Sequence, residues 1–279
     1  MTSRDEPQRR GSLRTITSLQ NDSVKLIRSL DMRKSRRETG LFVAEGISLL
    51  VTARENGWKP EMLVVGPGAR DNVVARSLLD WAIEAGAECL DVSAAVLEKL
   101  AAKDNPQVVM GVFRQRWTEA PVPAELTREA AWLALEGVRD PGNLGTIIRT
   151  VDAVGGNGVI LVGQTCDPYS KEAVRASMGS IFAVPLVRHE APAFETLVQK
   201  WPGDVIGTHL EATRDFRKGS WRQPSLLVMG SEGAGLSSAM ARSCSALVKI
   251  PMAGRLDSLN LAVATALVLY EIRRDKLAI

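Results

Sequence analysis

Histidine is almost missing from this 279-residue chain: only His189 and His209 occur, in no metal-ligating spacing. Chemistry that relies on an imidazole base near neutral pH, or on a histidine-held metal, therefore has little to draw on. Cysteine is nearly as scarce. Cys89, Cys166 and Cys244 are odd in number, far apart and form no CxxC, which excludes a disulfide framework and a structural zinc site and fits a reducing compartment. Aromatic residues make up 5%. No apolar run approaches the roughly 20 residues needed to span a bilayer, and the N-terminus carries no apolar segment of the kind that directs secretion. The expectation is a cytoplasmic protein with no metal and no membrane partner.

What is present is ordinary in bulk and uneven in distribution. The length suggests two domains, and the 45% hydrophobic and 24% charged fractions suit a globular protein. Net charge is only +3, yet residues 1–40 hold ten basic against five acidic side chains. A local excess of this kind suits a polyanion such as RNA.

The chain reads as a small α/β domain over 15–115, preceded by a basic, flexible tail over 1–14. Asp22 or Ser23 is positioned to cap a helix bearing Val24, Leu26, Ile27 and Leu30. Glu45–Glu55 reads as helix and Met62–Val65 as strand, broken by Gly66-Pro67-Gly68. Asn72–Ala85 is helical, with Val73, Val74, Leu78, Leu79, Trp81 and Ile83 supplying its apolar positions. Strands over Glu88–Val92 and Val108–Phe113 flank a short helix capped by Ser93. The proline-bearing stretch 116–130 reads as a linker. From Ala131 to the end, strand candidates at Trp132–Leu135, Val159–Val162, Phe182–Val187, Val205–Gly207, Leu226–Met229 and Leu247–Ile250 alternate with helices, Leu144–Val154 among them. Their continuous apolar character favours a mostly parallel, buried sheet. Leu261–Tyr270 is the most apolar helix and reads as core.

Three segments of this second half place polar residues at the edge of an apolar element. In Asp140-Pro-Gly-Asn-Leu-Gly-Thr-Ile-Ile-Arg149, Pro141-Gly142 forces a turn and Asn143 stands at the helix start, where it would serve as an N-cap. Arg149 lies away from the Ile147/Val151/Val154 stripe, outside the core. Met229-Gly-Ser-Glu-Gly-Ala-Gly-Leu-Ser237 follows a strand with three glycines and one charge, Glu232. It matches neither GxGxxG nor GxxxxGK[ST], but lets a ligand approach the backbone. In Ile250-Pro-Met-Ala-Gly-Arg-Leu-Asp-Ser-Leu-Asn260, Ser258 could cap the helix that follows and Asn260 stand in its first turn.

Together and in this order, these segments closely resemble the three motifs of the SpoU/TrmH family of the SPOUT superfamily, knotted 2′-O-ribose RNA methyltransferases. The resemblance is specific over 131–279. It implies an α/β methyltransferase domain with a mostly parallel sheet and a deep trefoil knot from about Gly230 onward. It implies S-adenosylmethionine as cofactor, held largely by backbone at Gly230, Ile250 and Leu259. The polar set of the family falls on Asn143, Arg149, Glu232, Ser258 and Asn260, all present, and the family is generally homodimeric with that set near the subunit interface. The opening Ile16–Lys25, the basic run Arg33, Lys34, Arg36, Arg37 and Gly40–Gly46 resemble the RNA-binding domain of the ribosomal-RNA branch. Large-subunit ribosomal RNA is the expected substrate; a transfer-RNA substrate or a non-catalytic RNA-binding assembly factor are the alternatives.

A ribose 2′-OH is a poor nucleophile, and its methylation needs in-line approach and loss of a proton. A guanidinium cannot act as base at neutral pH, so Arg149 is expected to hold the adjoining phosphate and stabilise developing charge. Ser258 and Asn260 would position ribose and cofactor, with Glu232 or solvent accepting the proton.

Overall fold

The computed structural model describes residues 11–101 and 107–277. In chain order the elements are β1 (Ser12–Ile16), α1 (Asp22–Ser29), α2 (Arg33–Thr39), β2 (Leu41–Glu45), α3 (Ile47–Glu55), β3 (Pro60–Val65), α4 (Val73–Glu84), β4 (Glu88–Val92), α5 (Ala94–Leu100) and β5 (Val109–Arg114). They continue as β6 (Ala131–Glu136), α6 (Pro141–Ala153), β7 (Gly158–Val162), α7 (Lys171–Ala176), β8 (Leu186–His189), α8 (Ala191–Gln199), β9 (Val205–Thr208), β10 (Arg214–Asp215), β11 (Ser225–Met229), α9 (Ser238–Ser243), β12 (Ala246–Lys249) and α10 (Leu261–Arg273).

The described residues up to Gln115, together with Tyr169–Phe182, make up the first compact unit. Its five-stranded sheet has the order β1-β4-β3-β5-β2. β1, β4 and β3 run parallel, while β5 is antiparallel to β3 and β2. Residues 12–14 thus do not belong to a flexible tail: β1 pairs with β4 from Ser12↔Glu88 to Ile16↔Val92, and the Arg14 guanidinium meets the Glu88 carboxylate. Of the rest of the expected tail, Gly11 donates its N–H to the Ile83 carbonyl at 2.9 Å, and residues 1–10 lie outside the described residues. Helix α1 is capped by neither Asp22 nor Ser23. Asn21 does this, its side chain accepting the Ser23 and Val24 backbone N–H groups at 3.0 and 3.3 Å. Glu45 closes β2 rather than opening a helix, and Val73 and Val74 are exposed, because the buried face of α4 is carried by Ala75, Leu78 and Ala82.

The segment Tyr169–Phe182, expected within the second domain, packs into the first. Phe42, Trp58, Phe113, Tyr169 and Phe182 form one cluster, with centroids 4.6 Å apart for Phe42–Tyr169 and 5.1 Å for Trp58–Phe182. The Trp58 indole N–H donates to the Phe182 carbonyl at 2.8 Å. Phe182 therefore ends a single 3₁₀ turn, Ser180–Phe182, and the expected strand begins only at Leu186.

The second unit covers Arg116–Pro168 and Ala183–Ile279. Its seven strands, ordered β10-β12-β9-β11-β6-β7-β8, are all parallel. The core of one face gathers Trp132, Ala134, Ile160, Phe194, Val205, Leu226 and Val228. The presumed linker is not idle, for the Thr118 N–H donates to the Leu186 carbonyl at 2.8 Å and the Trp117 ring lies 3.6 Å beneath the Arg188 guanidinium. It thereby blunts the edge strand β8. Parallel strands point their carboxyl ends the same way, so the turns after β6, β11 and β12 open on one edge of the sheet, the edge where open α/β sheets bind ligands. No helix among the described residues is long and apolar enough to cross a membrane.

Candidate active site

Strands β6 and β11 are neighbours in register, Leu135 opposite Met229, so the first and second motif segments leave the sheet side by side. Asp140, not Asn143, caps α6: its side chain accepts the Asn143 backbone N–H at 2.6 Å. Pro141, whose missing N–H costs nothing in a first turn, starts the helix. This frees the Asn143 side chain. Its amide donates to Glu232 Oε1 at 3.3 Å, and its carbonyl oxygen accepts from Asn260 Nδ2 at 2.8 Å. Glu232 also accepts the backbone N–H groups of Arg139 and Asp140, both at 3.1 Å. Asn260 Oδ1 in turn caps α10, accepting from Ala262 and Val263 at 2.9 and 3.2 Å. One chain of hydrogen bonds, Glu232–Asn143–Asn260, thus ties together all three segments.

Two expected roles change on this geometry. Partial burial pushes the Glu232 carboxyl up, but the backbone donors of Glu232, Asp140 and Arg139 and the Asn143 amide outweigh it and hold the group below its ordinary value. A carboxylate so occupied is a weak proton acceptor and a strong staple. Asn260, not Ser258, is the helix cap. Ser258 stands exposed on the open 250–260 segment.

The glycine-rich loop is fixed by its own backbone. Ser231 and Gly235 exchange N–H···O bonds of 3.1 and 3.0 Å, and Gly235 has φ +67°. A Cβ on Gly230 would stand 1.9 Å from the Gly235 carbonyl carbon and 2.1 Å from the Leu236 nitrogen. Glycine is required there by the loop itself, whether or not a ligand also approaches, so a valine at 230 would distort the loop rather than merely fill a pocket. Glu136 Oε2 accepts the Ser237 N–H at 2.8 Å and secures the loop's far end.

Arg149 is not brought into the network. It is exposed, without a hydrogen bond or ion pair among the described residues, and sits about 9 Å along α6 and about 240° around it from Asn143. Ile250 is half-buried, while Leu259 and Leu256 are 38% and 73% exposed. Burial, with the Glu136 charge beside it, pushes the Cys244 thiol up to about 12, which leaves it neutral and unreactive. Among the described residues no group of His, Cys, Asp and Glu is placed to hold a metal ion. In the first unit, Arg33, Lys34 and Arg37 are exposed, but Arg36 is not available to RNA. It is 5% exposed and donates to the carbonyls of Leu30 and Asp31 at 2.7 and 2.9 Å, closing the α1–α2 corner. Sequence reasoning missed Asp140 and Glu136; the carboxylate just before Pro141-Gly142 was a readable capping signal, that of Glu136 was not.

A wholly parallel sheet, with polar loops meeting at the carboxyl ends of its strands and an apolar-sided open segment beside them, defines a ligand-binding α/β enzyme domain. The chain belongs to the SpoU rRNA methylase family, whose profile matches residues 130–270; an MRM3-like substrate binding domain matches residues 21–111. It is 30% identical to a 23S rRNA (guanosine(2553)-2′-O)-methyltransferase of Bacillus subtilis, over 94% of this chain and 100% of that one. It is 31% identical to the 23S rRNA (uridine(2479)-2′-O)-methyltransferase of Streptomyces viridochromogenes, over 99% and 97%. The AdoMet-bound rRNA methyltransferase structure from Sinorhizobium meliloti is 43% identical, covers 96% of this chain and 100% of its own, and superposes with a TM-score of 0.85.

Proposed function

We propose that this protein transfers a methyl group from S-adenosylmethionine to a ribose 2′-OH of large-subunit ribosomal RNA. The observation that carries the reading is the Glu232–Asn143–Asn260 network, which joins the three motif segments at the ligand-binding edge of the sheet. The residues present suit the cofactor: a glycine loop with open space at Gly233 and Gly235, and apolar side chains at Ile250, Leu256 and Leu259 left half-buried or exposed. Backbone at Gly230, Ile250 and Leu259 would hold S-adenosylmethionine, which supplies a methyl on a cationic sulfur. Asn143 and Asn260, locked against Glu232, orient the ribose. Ser258 contributes a hydroxyl on the open side, and Arg149 stabilises charge developing on the 2′ oxygen. With Glu232 held ionised and spent on donors, the proton leaves to solvent by way of the RNA phosphate.

Arg33, Lys34 and Arg37 are the RNA-facing cations of the first unit. A homodimer is favoured by the exposed side of α10, where Val263, Leu267 and Tyr270 recur at helical spacing, 49%, 41% and 49% exposed; this helix is not simply core. A knot beginning near Gly230 and a cytoplasmic location complete the reading. Labelled S-adenosylmethionine and RNA from cells lacking the protein test it. The expected product is label in large-subunit RNA, recovered after alkali as a cleavage-resistant dinucleotide, because a 2′-methoxy group cannot attack its phosphate. Label in transfer RNA alone would replace the substrate, and no label in any RNA would favour a non-catalytic RNA-binding role.

A further inference from the structure

We propose that Arg139 is a substrate-positioning residue that grips an RNA phosphate beside the target ribose. This rests on the reading of the site as an RNA methyltransferase. Arg139 lies in the turn between β6 and α6, and its backbone N–H donates to Glu232 Oε2 at 3.1 Å. Its main chain is therefore pinned to the Glu232 end of the polar network. Its side chain is exposed and makes no hydrogen bond or ion pair among the described residues.

The surrounding carboxylates explain why it is left so. Glu232 is taken by the N–H groups of Arg139 and Asp140 and by the Asn143 amide. Asp140 Oδ1 is taken by the Asn143 N–H and Glu136 Oε2 by the Ser237 N–H. Each acid accepts from a turn or helix start, and none of the three pairs with the Arg139 guanidinium. Some arginines elsewhere do meet acids: Arg70 meets Asp91 at 2.6 Å, Arg114 meets Glu61 at 3.0 Å and Arg217 meets Asp215 at 2.6 Å. At the site the guanidinium has no counter-ion among the described residues, and the anion that completes it comes from outside. A phosphodiester fits, since the planar fork matches two of its oxygens. Arg149 does not do this same task. It lies about 9 Å further along α6 than Asn143 and on another side of that helix, so the two guanidiniums address different points of the RNA.

The test uses the full-length protein and an unmethylated large-subunit ribosomal RNA transcript. Filter binding and single-turnover methylation are measured against salt for wild type, Arg139→Ala and Arg139→Lys, with S-adenosylmethionine affinity by calorimetry as control. The alanine variant should bind RNA about tenfold more weakly, and its salt slope should fall by roughly 0.7–1, the loss expected of one phosphate contact. Cofactor affinity should stay within about twofold of wild type, and lysine should keep the slope because it keeps the charge. An alanine variant with wild-type affinity and slope overturns the assignment. So does a lysine variant with the alanine slope, or an equal loss of cofactor affinity, which would mark a structural role. If wild type binds the transcript but transfers no methyl, the functional reading fails while the binding slopes still decide the role of Arg139.

Discussion

The two units spend their polar and aromatic residues in contrasting ways. In the first, five rings collect in one cluster, and a buried arginine, Arg36, is consumed in closing a helical corner. In the second, the sheet interior is aliphatic for most of its area, and the informative side chains are amides and carboxylates that bond across loops at one edge. The difference teaches how variants should divide. A change in the first unit should act on stability and RNA affinity without touching the chemical step; loss of rate should come only from the second.

The sharpest way to break that division is Phe182→Ala. Phe182 is 4% exposed and bonded to Trp58 through its carbonyl, and truncating a buried ring typically costs about 3–5 kcal/mol. Denaturant unfolding should show this loss, with S-adenosylmethionine affinity preserved wherever the protein is folded. A loss under about 1 kcal/mol would mean that the cluster is not the first unit's anchor.

Arg149 gives the next largest effect, and it should fall on rate alone. Arg149→Ala should lower single-turnover methylation on the order of a hundredfold, with melting temperature and cofactor binding unchanged, since the side chain is exposed and unpaired among the described residues. Arg149→Lys should be nearly as slow, because lysine lacks the guanidinium fork. Near-wild-type turnover in the alanine variant would remove the residue from the mechanism.

Asn260 separates two roles in one side chain. Asn260→Ala should cost about 1 kcal/mol through loss of the α10 cap and should also slow methylation. Asn260→Asp keeps the acceptor used by Ala262 and Val263 but loses the donor to Asn143. It should restore stability and leave the rate low. If it restores both, the bond to Asn143 is not what the site uses.

The smallest effect concerns pH. The Glu232 carboxyl lies below its ordinary value in the folded protein, so it contributes stability above the unfolded pKa of about 4.3 and loses it as pH falls through the lower folded value. The stability advantage of wild type over Glu232→Gln should be constant near neutrality and shrink below about pH 4. An advantage that grows on acidification would reverse the sign argued for Glu232.

Much of the second unit was readable because its signals are local. An apolar run ending in Pro141-Gly142, or in the glycines after Met229, must stop being a strand there, and the resulting turns fall at β6 and β11. Errors arose where a residue's partner is distant. Asn143 reads as a cap, and only the Asp140 carboxylate, aimed at its N–H, shows that it is not. Four basic residues read as one RNA surface until the carbonyls of Leu30 and Asp31 withdraw Arg36. Tyr169 and Phe182 read as parts of the half they are written in, whereas their rings pack against Phe42 and Trp58.

The sequence by itself determined the α/β alternation, the parallel character of the second sheet, and the three polar segments with their resemblance. Each follows from residue type and spacing along the chain, which constrain the backbone within a few residues. Tertiary structure alone decided that Asn143 and Asn260, 117 residues apart, share a hydrogen bond. It alone decided that Glu232 is occupied by donors, and that Arg139 and Arg149 have no acid partner among the described residues. A side chain's partners depend on which loops the sheet order brings together, and β11 lies beside β6 for reasons of packing that no local stretch of sequence records.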